Sequence, residues 1–531
     1  MISKKAEVMT PIWVCNLQNN LIDAAWVGRE NVFNVAEGHE WRNTNKVIFP
    51  QGVDWRDYVR AKRLEIACGE APYLSSRYDV LTKRNIDLGD RIGLLDRKLR
   101  VVNENVEDES EWLKWATVAM EAVYGYEILS GKVELTRKNL ELTFIENYQA
   151  KFERELDVAS LKKLGQILQK NIVCYDALGE DGEIFQDLNF DAIVGNPPYH
   201  MVGGAGGSND APVYQKFVVQ SLGLNARYVS MVIPARWFAG GRENLLGDFR
   251  QRMLHEVGLK ELIVYAEANE VFDWVRLSGG ICCFLAERGY RGKCKYDLID
   301  KGGRNSTWRM FEDEILIRDA SLAKIIKKVT SRADLMGLGR VSEIISGNTP
   351  FGITSDLCGK DGKEMKLFIE KNPKHAIELY FFDKPYRVMR YISEKYISKN
   401  QDLVDKYKVI LPAAGGSGSD RNILGRPQLI PPGSVCSQTY LCATFDNEVE
   451  AKNFLKYIQT RFFRALVSAA KVSQSAAKRV YRFVPLEDFS DKSEIDWSRS
   501  VRDVELQLYE RYAMNEAEAH HIEKKIAEWV E

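Results

Sequence analysis

The stretch FDAIVGNPPYHMVGG, residues 190–204, joins a short apolar run to a turn that two prolines stiffen. The apolar residues 192–194 are typical of a buried parallel strand. Pro197 and Pro198 lack a backbone N–H, so the strand has to end before them, and each proline restricts the residue before it to extended conformations. The sequence therefore predicts a rigid turn at the carboxyl end of a buried strand.

This turn carries groups that suit a planar ligand with an amine. Asn196 offers a side-chain carbonyl and Pro197 a backbone carbonyl, and both oxygens accept hydrogen bonds. Tyr199 adds a flat aromatic ring. Because open α/β sheets bind ligands at the carboxyl ends of their strands, we expect a binding site at this turn.

The surrounding sequence alternates strand-like and helix-like segments. A helical pattern covers residues 132–148, and strand-like segments occupy residues 63–68, 122–128, 171–178, 190–195, 227–234, 261–267 and 279–287. Such alternation predicts an α/β fold with a mostly parallel sheet and helices on both faces. The 57 residues between 70 and 126 exceed what one helical crossover needs, so an insertion is predicted at about 75–120.

Length and composition limit the possible functions. A chain of 531 residues is too long for one core, and its net charge of −1 confines any nucleic-acid site to a local patch. The nine cysteines form no CxxC pair and have no metal-like spacing from a histidine, which predicts reduced thiols and no metal. No membrane-length apolar run or signal peptide is present, so we expect a cytoplasmic protein without a membrane partner.

The pattern changes near residue 330, where loop-rich sequence begins. Residues 371–480 hold 18 Lys and Arg against nine Asp and Glu, whereas residues 481–531 hold seven against 13. We predict domains at 1–330, 331–495 and 496–531. The basic block indicates either a nucleic-acid surface or a solvated face over ordinary core aromatics. Its interleaved aromatic residues are Tyr380, Phe381, Phe382, Tyr386, Tyr391, Tyr440, Phe462 and Phe463.

Residues 196–199, Asn-Pro-Pro-Tyr, resemble motif IV of the amino-methyltransferases, which move a methyl group from S-adenosylmethionine to an exocyclic or amide nitrogen. LEIACGEAPYL, residues 64–74, is similar to the cofactor loop of the gamma-class, Taq-type, adenine DNA methyltransferases. Glu65, Ala67, Cys68 and Gly69 follow that pattern, whereas Ile66 replaces its proline. Alanine also stands at position 71, where glycine is common. The resemblance implies a Rossmann-like methyltransferase sheet and a C-terminal target-recognition domain.

The same resemblance assigns further cofactor contacts. It implies that Glu127 accepts hydrogen bonds from ribose hydroxyls, that Ile128 packs on the cofactor's adenine ring and that Asp176 contacts its amine. Thr10, in a segment similar to motif X, would reach the methionine carboxylate. Seen alone, Glu127 is also explained as an acid at a helix N-terminus and Asp176 as a helix N-cap.

The catalytic roles implied by the resemblance begin with Asn196 and Pro197, whose carbonyl oxygens would hold the amine of an adenine flipped out of the duplex. Pro198 stiffens the turn. Tyr199 would stack on one face of the base and Phe272, preferred to Trp274, on the other, although Phe272 is equally explained as a core residue.

The sequence is thus read as a sequence-specific adenine DNA methyltransferase of restriction–modification type. Its expected partner is double-stranded DNA, bound by a monomer, and the resemblance also allows a cognate restriction endonuclease. Lys216, Arg236 and the arginines near 461–482 are candidate phosphate contacts, and residues 203–208 a candidate mobile loop. Two alternatives remain, a protein-glutamine or ribosomal-RNA methyltransferase and a non-catalytic DNA-binding subunit with a degenerate cofactor site.

Overall fold

The computed structural model describes residues 9–179, 184–200, 211–239, 243–272, 279–311, 315–357, 365–383, 386–415, 423–471 and 476–529. The chain divides into two compact units. Unit 1 comprises Met1–Trp237 and Arg242–Glu314, and unit 2 comprises Phe238–Gly241 and Ile315–Glu531. Within the described residues no helix is both long and apolar enough to cross a membrane.

Unit 1 is built from helices and strands that alternate along most of its length. In chain order they are α1 (Ile12–Val27), β1 (Asn34–Glu37), β2 (Glu40–Asn43), α2 (Trp55–Arg60), β3 (Arg63–Ile66), α3 (Leu94–Asn105), α4 (Glu109–Glu121), β4 (Val123–Glu127), α5 (Ser130–Phe152), α6 (Val158–Asn171), β5 (Ile172–Cys174), β6 (Ala192–Gly195), α7 (Tyr214–Gly223), β7 (Tyr228–Pro234), α8 (Glu243–His255), β8 (Leu259–Tyr265), β9 (Ile281–Glu287), β10 (Cys294–Asp300) and β11 (Gly303–Arg309).

The large sheet of unit 1 has the strand order β5-β4-β3-β6-β7-β9-β8-β10-β11. Strand β9 runs antiparallel to β7 and β8, and β11 runs antiparallel to β10. The other neighbouring pairs are parallel. The predicted α/β fold with a mostly parallel sheet is therefore confirmed.

The central strands are apolar because both of their faces are covered. All residues of β3, β4, β6 and β7 are buried. Helix α1 contacts β6, β7 and β9, whereas α5 and α6 contact β4 and β5, and α7 contacts β7. Strands covered in this way lose the alternation of polar and apolar residues, which explains the continuous apolar runs of the sequence.

The chain reverses its direction across the sheet at β3. It passes from β3 outward to β4 and β5, then returns to place β6 on the other side of β3. Leu64 lies opposite Ile193 and Ile66 opposite Gly195. A Cβ on Gly195 would lie 2.6 Å from Ile66 Cγ1, so only glycine permits this approach. Such a reversal opens a crevice at the carboxyl ends of the two strands.

The predicted insertion contains α3 and α4, which contact each other and the helices beside β4. Asp96 holds the start of α3, where its Oδ2 accepts hydrogen bonds from the backbone N–H groups of Ser76 at 2.9 Å and Gly93 at 3.1 Å. The neighbouring Arg97 forms a buried ion pair with Asp23 of α1 at 2.7 Å. These contacts tie the segment into unit 1.

Unit 2 contains two small sheets and six helices within its described residues. In chain order the elements are α9 (Ala320–Leu335), α10 (Val341–Ile344), β12 (Ile377–Asp383), β13 (Tyr386–Ile392), β14 (Tyr407–Pro412), β15 (Gln428–Ile430), β16 (Ser434–Cys436), β17 (Tyr440–Phe445), α11 (Glu448–Gln459), α12 (Arg461–Ala470), α13 (Val501–Arg511) and α14 (Glu516–Lys525). The sheets have the orders β13-β12-β16 and β15-β14-β17.

The boundaries of unit 2 differ from the predicted domains. The division lies at Ile315, and residue 330 falls inside α9. Helix α9 buries Ile325 and Val329 in the same apolar core that receives Leu508 of α13 and Ile522 of α14. The segment 496–531, predicted as a separate tail, is therefore part of unit 2, because its helices complete that core.

Candidate active site

The turn at the carboxyl end of β6 is held by its own prolines and by one distant side chain. Asn196 Nδ2 donates a hydrogen bond to Thr10 Oγ1 at 3.1 Å, across 186 residues of sequence. Asn196, Pro197 and Pro198 line a cleft at the carboxyl ends of β3 and β6. The turn thus lies where the strand order predicted a binding crevice.

The loop after β3 forms the opposite wall of this cleft. Ala67, Gly69 and Ala71 have φ angles of +44°, +54° and +61°. This left-handed backbone favours glycine, so an alanine at position 71 costs about 1 kcal/mol relative to glycine. The loop is fixed by the hydroxyl of Thr136, which donates to the Gly69 carbonyl at 2.7 Å.

Glu127 joins the ends of β3 and β4. Its Oε2 accepts a hydrogen bond from Gly69 N–H at 3.0 Å, and its Oε1 accepts one from Leu129 N–H at 3.1 Å. Each carboxylate oxygen has a second acceptor direction. Glu127 therefore fixes the loop and still presents acceptor capacity to the cleft that it lines.

Three other acids line the cleft, Glu65, Glu70 and Asp176. Asp176 follows β5, and its Oδ1 accepts from Leu178 N–H at 3.0 Å, as expected of a residue that caps a turn. Glu65 is buried within β3 and accepts from Leu74 N–H at 3.1 Å. Burial raises the pKa of Glu65 well above its ordinary value, and the nearby Glu127 acts in the same direction. The cleft is thus rich in hydrogen-bond acceptors.

Eleven of the predicted site residues line this one cleft: Thr10, Glu65, Ala67, Cys68, Gly69, Glu127, Ile128, Asp176, Asn196, Pro197 and Pro198. Four strands and the start of α1 bring them together. The cavity thus combines carboxylates, the apolar side chain of Ile128 and the two carbonyl-bearing residues Asn196 and Pro197 of the β6 turn.

Tyr199 and Phe272 lie beside the cleft and contact each other. Their ring centroids are 6.3 Å apart and the rings meet edge to face at 70°. Tyr199 is 3% exposed and Phe272 is fully buried. Two aromatic faces are therefore adjacent, but no planar group fits between them until they separate. Trp274 and the segment 203–208 lie outside the described residues.

The sequence argument missed several residues of the cleft. Tyr175 and Leu129 stand next to predicted residues, whereas Val80, Lys132 and Phe217 had no local signal. Phe217 comes from the middle of α7, and its apolar side chain is indistinguishable in sequence from an ordinary core residue. Only the packing of α7 against β7 brings it to this wall.

The aromatic residues of the basic block divide into two groups. Phe381, Tyr440, Phe462 and Phe463 are buried, as the core interpretation predicts. In contrast, Tyr380, Phe382, Tyr386 and Tyr391 are partly or largely exposed on the β12–β13 hairpin.

One face of this hairpin is a candidate nucleic-acid surface. Residues that lie opposite each other across the two strands share a face, and so do alternate residues along each strand. We call the face made by the pairs Glu378–Tyr391, Tyr380–Met389 and Phe382–Arg387 the outer face. The alternate residues Leu379 and Phe381 point into the core.

Two arginines predicted as phosphate contacts have structural roles instead. Arg461 pairs with Glu505 at 2.8 Å, and Arg464 is 3% exposed, with its guanidinium donating to the carbonyls of Thr460 and Gln459. Within the described residues, Arg387 forms no ion pair and is exposed. Of these three arginines, Arg387 on the hairpin is therefore open to a ligand, whereas the two of α12 are engaged within unit 2.

Comparison with known proteins identifies related sequences. Residues 121–272 match the family described as Eco57I restriction-modification methylase. An adenine-specific methylase of Mycoplasma pneumoniae, itself uncharacterized, is 32% identical over 111 residues, which are 20% of this chain and 26% of that protein. The chain thus spans about a quarter of the length of this relative. The predicted resemblance to restriction–modification adenine methylases is confirmed.

Solved structures of restriction–modification enzymes are also similar. The type IIL enzyme MmeI in complex with DNA has 10% identity and a TM-score of 0.47, with 88% of this chain and 73% of that chain covered. A nuclease-deletion mutant of the type ISP enzyme LlaGI, in complex with a DNA substrate mimic, has 10% identity and a TM-score of 0.47. The match covers 94% of this chain and 46% of that one.

Proposed function

We propose that this chain is a sequence-specific DNA methyltransferase that transfers a methyl group from S-adenosylmethionine to the exocyclic amine of adenine. The observation that carries this proposal is the position of the Asn196–Pro197 turn. Its two carbonyl acceptors line the same cleft as Glu127, Asp176 and the loop after β3. The proposed amine site and the proposed nucleoside site would therefore be adjacent, and the match of residues 121–272 to a methylase family supports the same chemistry.

The residues of the cleft suit S-adenosylmethionine. Carboxylates accept hydrogen bonds from ribose hydroxyls, from an adenine amine and from an ammonium group, and they favour a cation. Glu127 would hold the ribose, Asp176 the adenine amine and Ile128 the ring, while Thr10 would donate to the methionine carboxylate. When bound, the cofactor would supply the methyl group of its sulfonium and leave as the neutral thioether, and the methylated amine would release one proton after the transfer.

The turn acts on the amine that receives the methyl group. The lone pair of an adenine amine is delocalised into the ring, which makes the nitrogen a weak nucleophile. Hydrogen bonds from its two N–H groups to Asn196 Oδ1 and the Pro197 carbonyl favour a pyramidal nitrogen and stabilise the positive charge that develops there. The prolines and β6 hold these acceptors in place, so alignment is the main contribution of the protein.

Adenine reaches this turn only after leaving the DNA helix. Enzymes that modify bases extrude the nucleotide into a pocket. Tyr199 follows the turn directly, and its ring would stack on the base at a gain of about 1–3 kcal/mol. Because Tyr199 and Phe272 now contact each other, the base enters by separating the two rings.

DNA is the proposed partner of unit 2. The outer face of the hairpin presents Tyr380, Phe382 and Tyr391 beside Arg387. Beyond the residues of β12 that pair with β16, the hairpin is a two-stranded ribbon. Such a ribbon fits the major groove of B-DNA, where arginine meets phosphates or guanine edges. The net positive charge of residues 371–480 gives this region an attraction for the phosphate backbone that the neutral chain as a whole lacks.

Methyl transfer from labelled S-adenosylmethionine tests the proposal. We expect purified protein to label duplex DNA, and long-read sequencing of DNA from expressing cells to place the modified adenines in one sequence context. Ribosomes and peptide-release factors serve as competing acceptors in the same assay. Transfer of the label to ribosomes or release factors, and not to the DNA, would refute the assignment.

A further inference from the structure

The bond between Asn196 and Thr10 links the two halves of the cleft. Asn196 Nδ2 donates to Thr10 Oγ1 at 3.1 Å, and both residues line the cavity. Thr10 is 4% exposed. Its backbone is held by Pro11, whose carbonyl accepts from Val14 N–H at 2.9 Å in the first turn of α1. A hydroxyl fixed at this point touches the residue proposed to bind the target amine.

An asparagine side chain can satisfy this contact in two orientations. In one, Nδ2 donates to the hydroxyl oxygen and Oδ1 is directed elsewhere. In the other, the hydroxyl donates to Oδ1 and the NH2 group is directed elsewhere. A threonine hydroxyl supports both orientations because it is a donor and an acceptor. Only the first orientation directs an acceptor, Asn196 Oδ1, to an amine. In the second orientation the NH2 group of Asn196 faces the amine, so two donors oppose each other.

We propose that Thr10 is a positioning residue that couples cofactor binding to the orientation of Asn196. When the carboxylate of the cofactor takes the hydrogen of the Thr10 hydroxyl, the oxygen can only accept. Asn196 must then direct Nδ2 to Thr10 and Oδ1 to the target amine. This inference rests on the proposed function, and it adds an order: the amine acceptor is set only after the carboxylate is bound.

The energies involved are large enough to measure. A hydrogen bond changes an equilibrium constant by about two- to tenfold, and a buried donor left without an acceptor changes it by about five- to 150-fold. In the wrong orientation, Asn196 loses the hydrogen bond to the target amine and also leaves a buried donor without an acceptor. A difference of this size corresponds to about a tenfold or larger change in an equilibrium constant.

The test measures recognition of the amine without turnover. One duplex carries adenine at the methylated position and a matched duplex carries purine, which lacks the amine. Affinity for each is measured with S-adenosylhomocysteine, which has the carboxylate, and with 5′-methylthioadenosine, which does not. We expect the wild-type protein to prefer adenine about tenfold with S-adenosylhomocysteine and hardly at all with 5′-methylthioadenosine.

Two substitutions at position 10 separate positioning from cofactor binding. Thr10→Ser keeps the hydroxyl and should keep the preference for adenine. Thr10→Val keeps the shape without the hydroxyl and should lose the preference even when S-adenosylhomocysteine, titrated by calorimetry, saturates the site. The contrary outcome is that Thr10→Val lowers the affinity for S-adenosylhomocysteine but preserves the preference for adenine over purine at saturation. That result would mean that Thr10 only binds the cofactor, and it would overturn the inference.

Asn196→Asp supplies a matched control. A carboxylate has two equivalent oxygens, so turning it over leaves an acceptor directed to the target amine in either orientation. In this variant the preference for adenine should be the same with and without Thr10→Val. An equal effect of Thr10→Val in both backgrounds would overturn the coupling. The proposed function is tested separately, because a wild-type protein that methylates no DNA would fail before these comparisons begin.

Discussion

At the scale of single residues, Asn196 has the sharpest expected effect. Asn196→Ala removes one of the two proposed acceptors for the developing charge, and loss of one such group costs about 100- to 1,000-fold in turnover. DNA affinity should change little, because most of it comes from phosphate contacts elsewhere. Single-turnover methylation and a DNA-binding titration measure the two quantities. Unchanged turnover would remove Asn196 from the mechanism.

Tyr199 allows the ring and the hydroxyl to be separated. Its hydroxyl is buried and has no hydrogen-bond partner among the described residues. Tyr199→Phe should therefore keep turnover within a few-fold and leave the melting temperature unchanged or higher. Tyr199→Ala removes the ring that packs on Phe272 and should lose about 3–5 kcal/mol of stability as well as turnover.

The stacking role of Tyr199 predicts which parameter falls in the alanine variant. Turnover should drop more than the calorimetric affinity for S-adenosylhomocysteine, because the ring is assigned to the base rather than to the cofactor. A selective loss of cofactor affinity would contradict that assignment.

Asp96 predicts a pH dependence of stability. Burial raises the pKa of Asp96 to about 6, and hydrogen bonds from Ser76 offset part of that effect. The folded chain thus holds this proton more tightly than the unfolded chain. The contribution of Asp96 is fully present below about pH 4 and is lost as the pH rises through 6, by about 3 kcal/mol.

Urea unfolding of wild type and Asp96→Asn between pH 4 and 7 measures this effect. The wild type should lose stability relative to the variant across that range. Asp157→Asn, at the exposed start of α6, is the control, because hydrogen bonds from Ser160 lower the pKa of Asp157 and place its titration below the range. Parallel curves for wild type and Asp96→Asn would show that Asp96 does not titrate there.

Sequence patterns foresaw which residues line the cleft where the signal was contiguous. Glu127 ends a strand and Asn196 starts a proline turn, so a short window contains the pattern. The Thr10–Asn196 bond could not be foreseen, because 186 residues separate the partners. Likewise, the contact between Tyr199 and Phe272 depends on how two loops pack, which no local pattern encodes.

At the scale of elements, the β12–β13 hairpin carries the expected DNA contact. Arg387→Ala should weaken DNA binding and reduce the slope of log affinity against log salt by about one. Lys452→Ala is the control, because it removes an equal charge from α11, where Lys452 pairs with Glu448. Equal effects of both variants would show that the outer face has no special role.

Strand positions were predicted well because buried parallel strands leave apolar runs between turn signals. The predicted segment 227–234 became β7, Tyr228–Pro234, and 261–267 became β8, Leu259–Tyr265. Which aromatic residues of the basic block are buried and which are exposed was not predictable. Phe381 and Phe382 are adjacent in sequence, yet alternation along β12 buries the first and exposes the second.

At the scale of the whole molecule, the two units predict how the chain unfolds. Each has its own apolar core, and among the described residues the cleft at β3 and β6 is lined by residues of unit 1 alone. We expect two calorimetric transitions. S-adenosylhomocysteine should raise the midpoint temperature of the unit 1 transition only, since a ligand stabilises the folded unit that it binds. A single transition that shifts as a whole would show that the units unfold together.

The domain boundary was the least predictable feature at this scale. Composition changes near residue 330, but the core of unit 2 already includes Ile315 and five buried residues of α9. A helix that buries one face in a core looks the same in sequence whichever core it joins. The acidic C-terminal segment was similarly ambiguous, because α13 exposes Asp503 and Glu510 but buries Glu505 together with Val504 and Leu508.

The reversal of strand order at β3 also bears on how such a protein could be re-engineered. The groups that would grip the methyl donor follow β3, β4 and β5, whereas the groups that would grip the acceptor follow β6. Smaller side chains in the first set would widen the cleft for sulfonium reagents that carry bulkier alkyl groups. The residues after β6 could stay unchanged in such variants. Such variants would turn the molecule into a tool that attaches chemical labels to DNA at its own recognition sites.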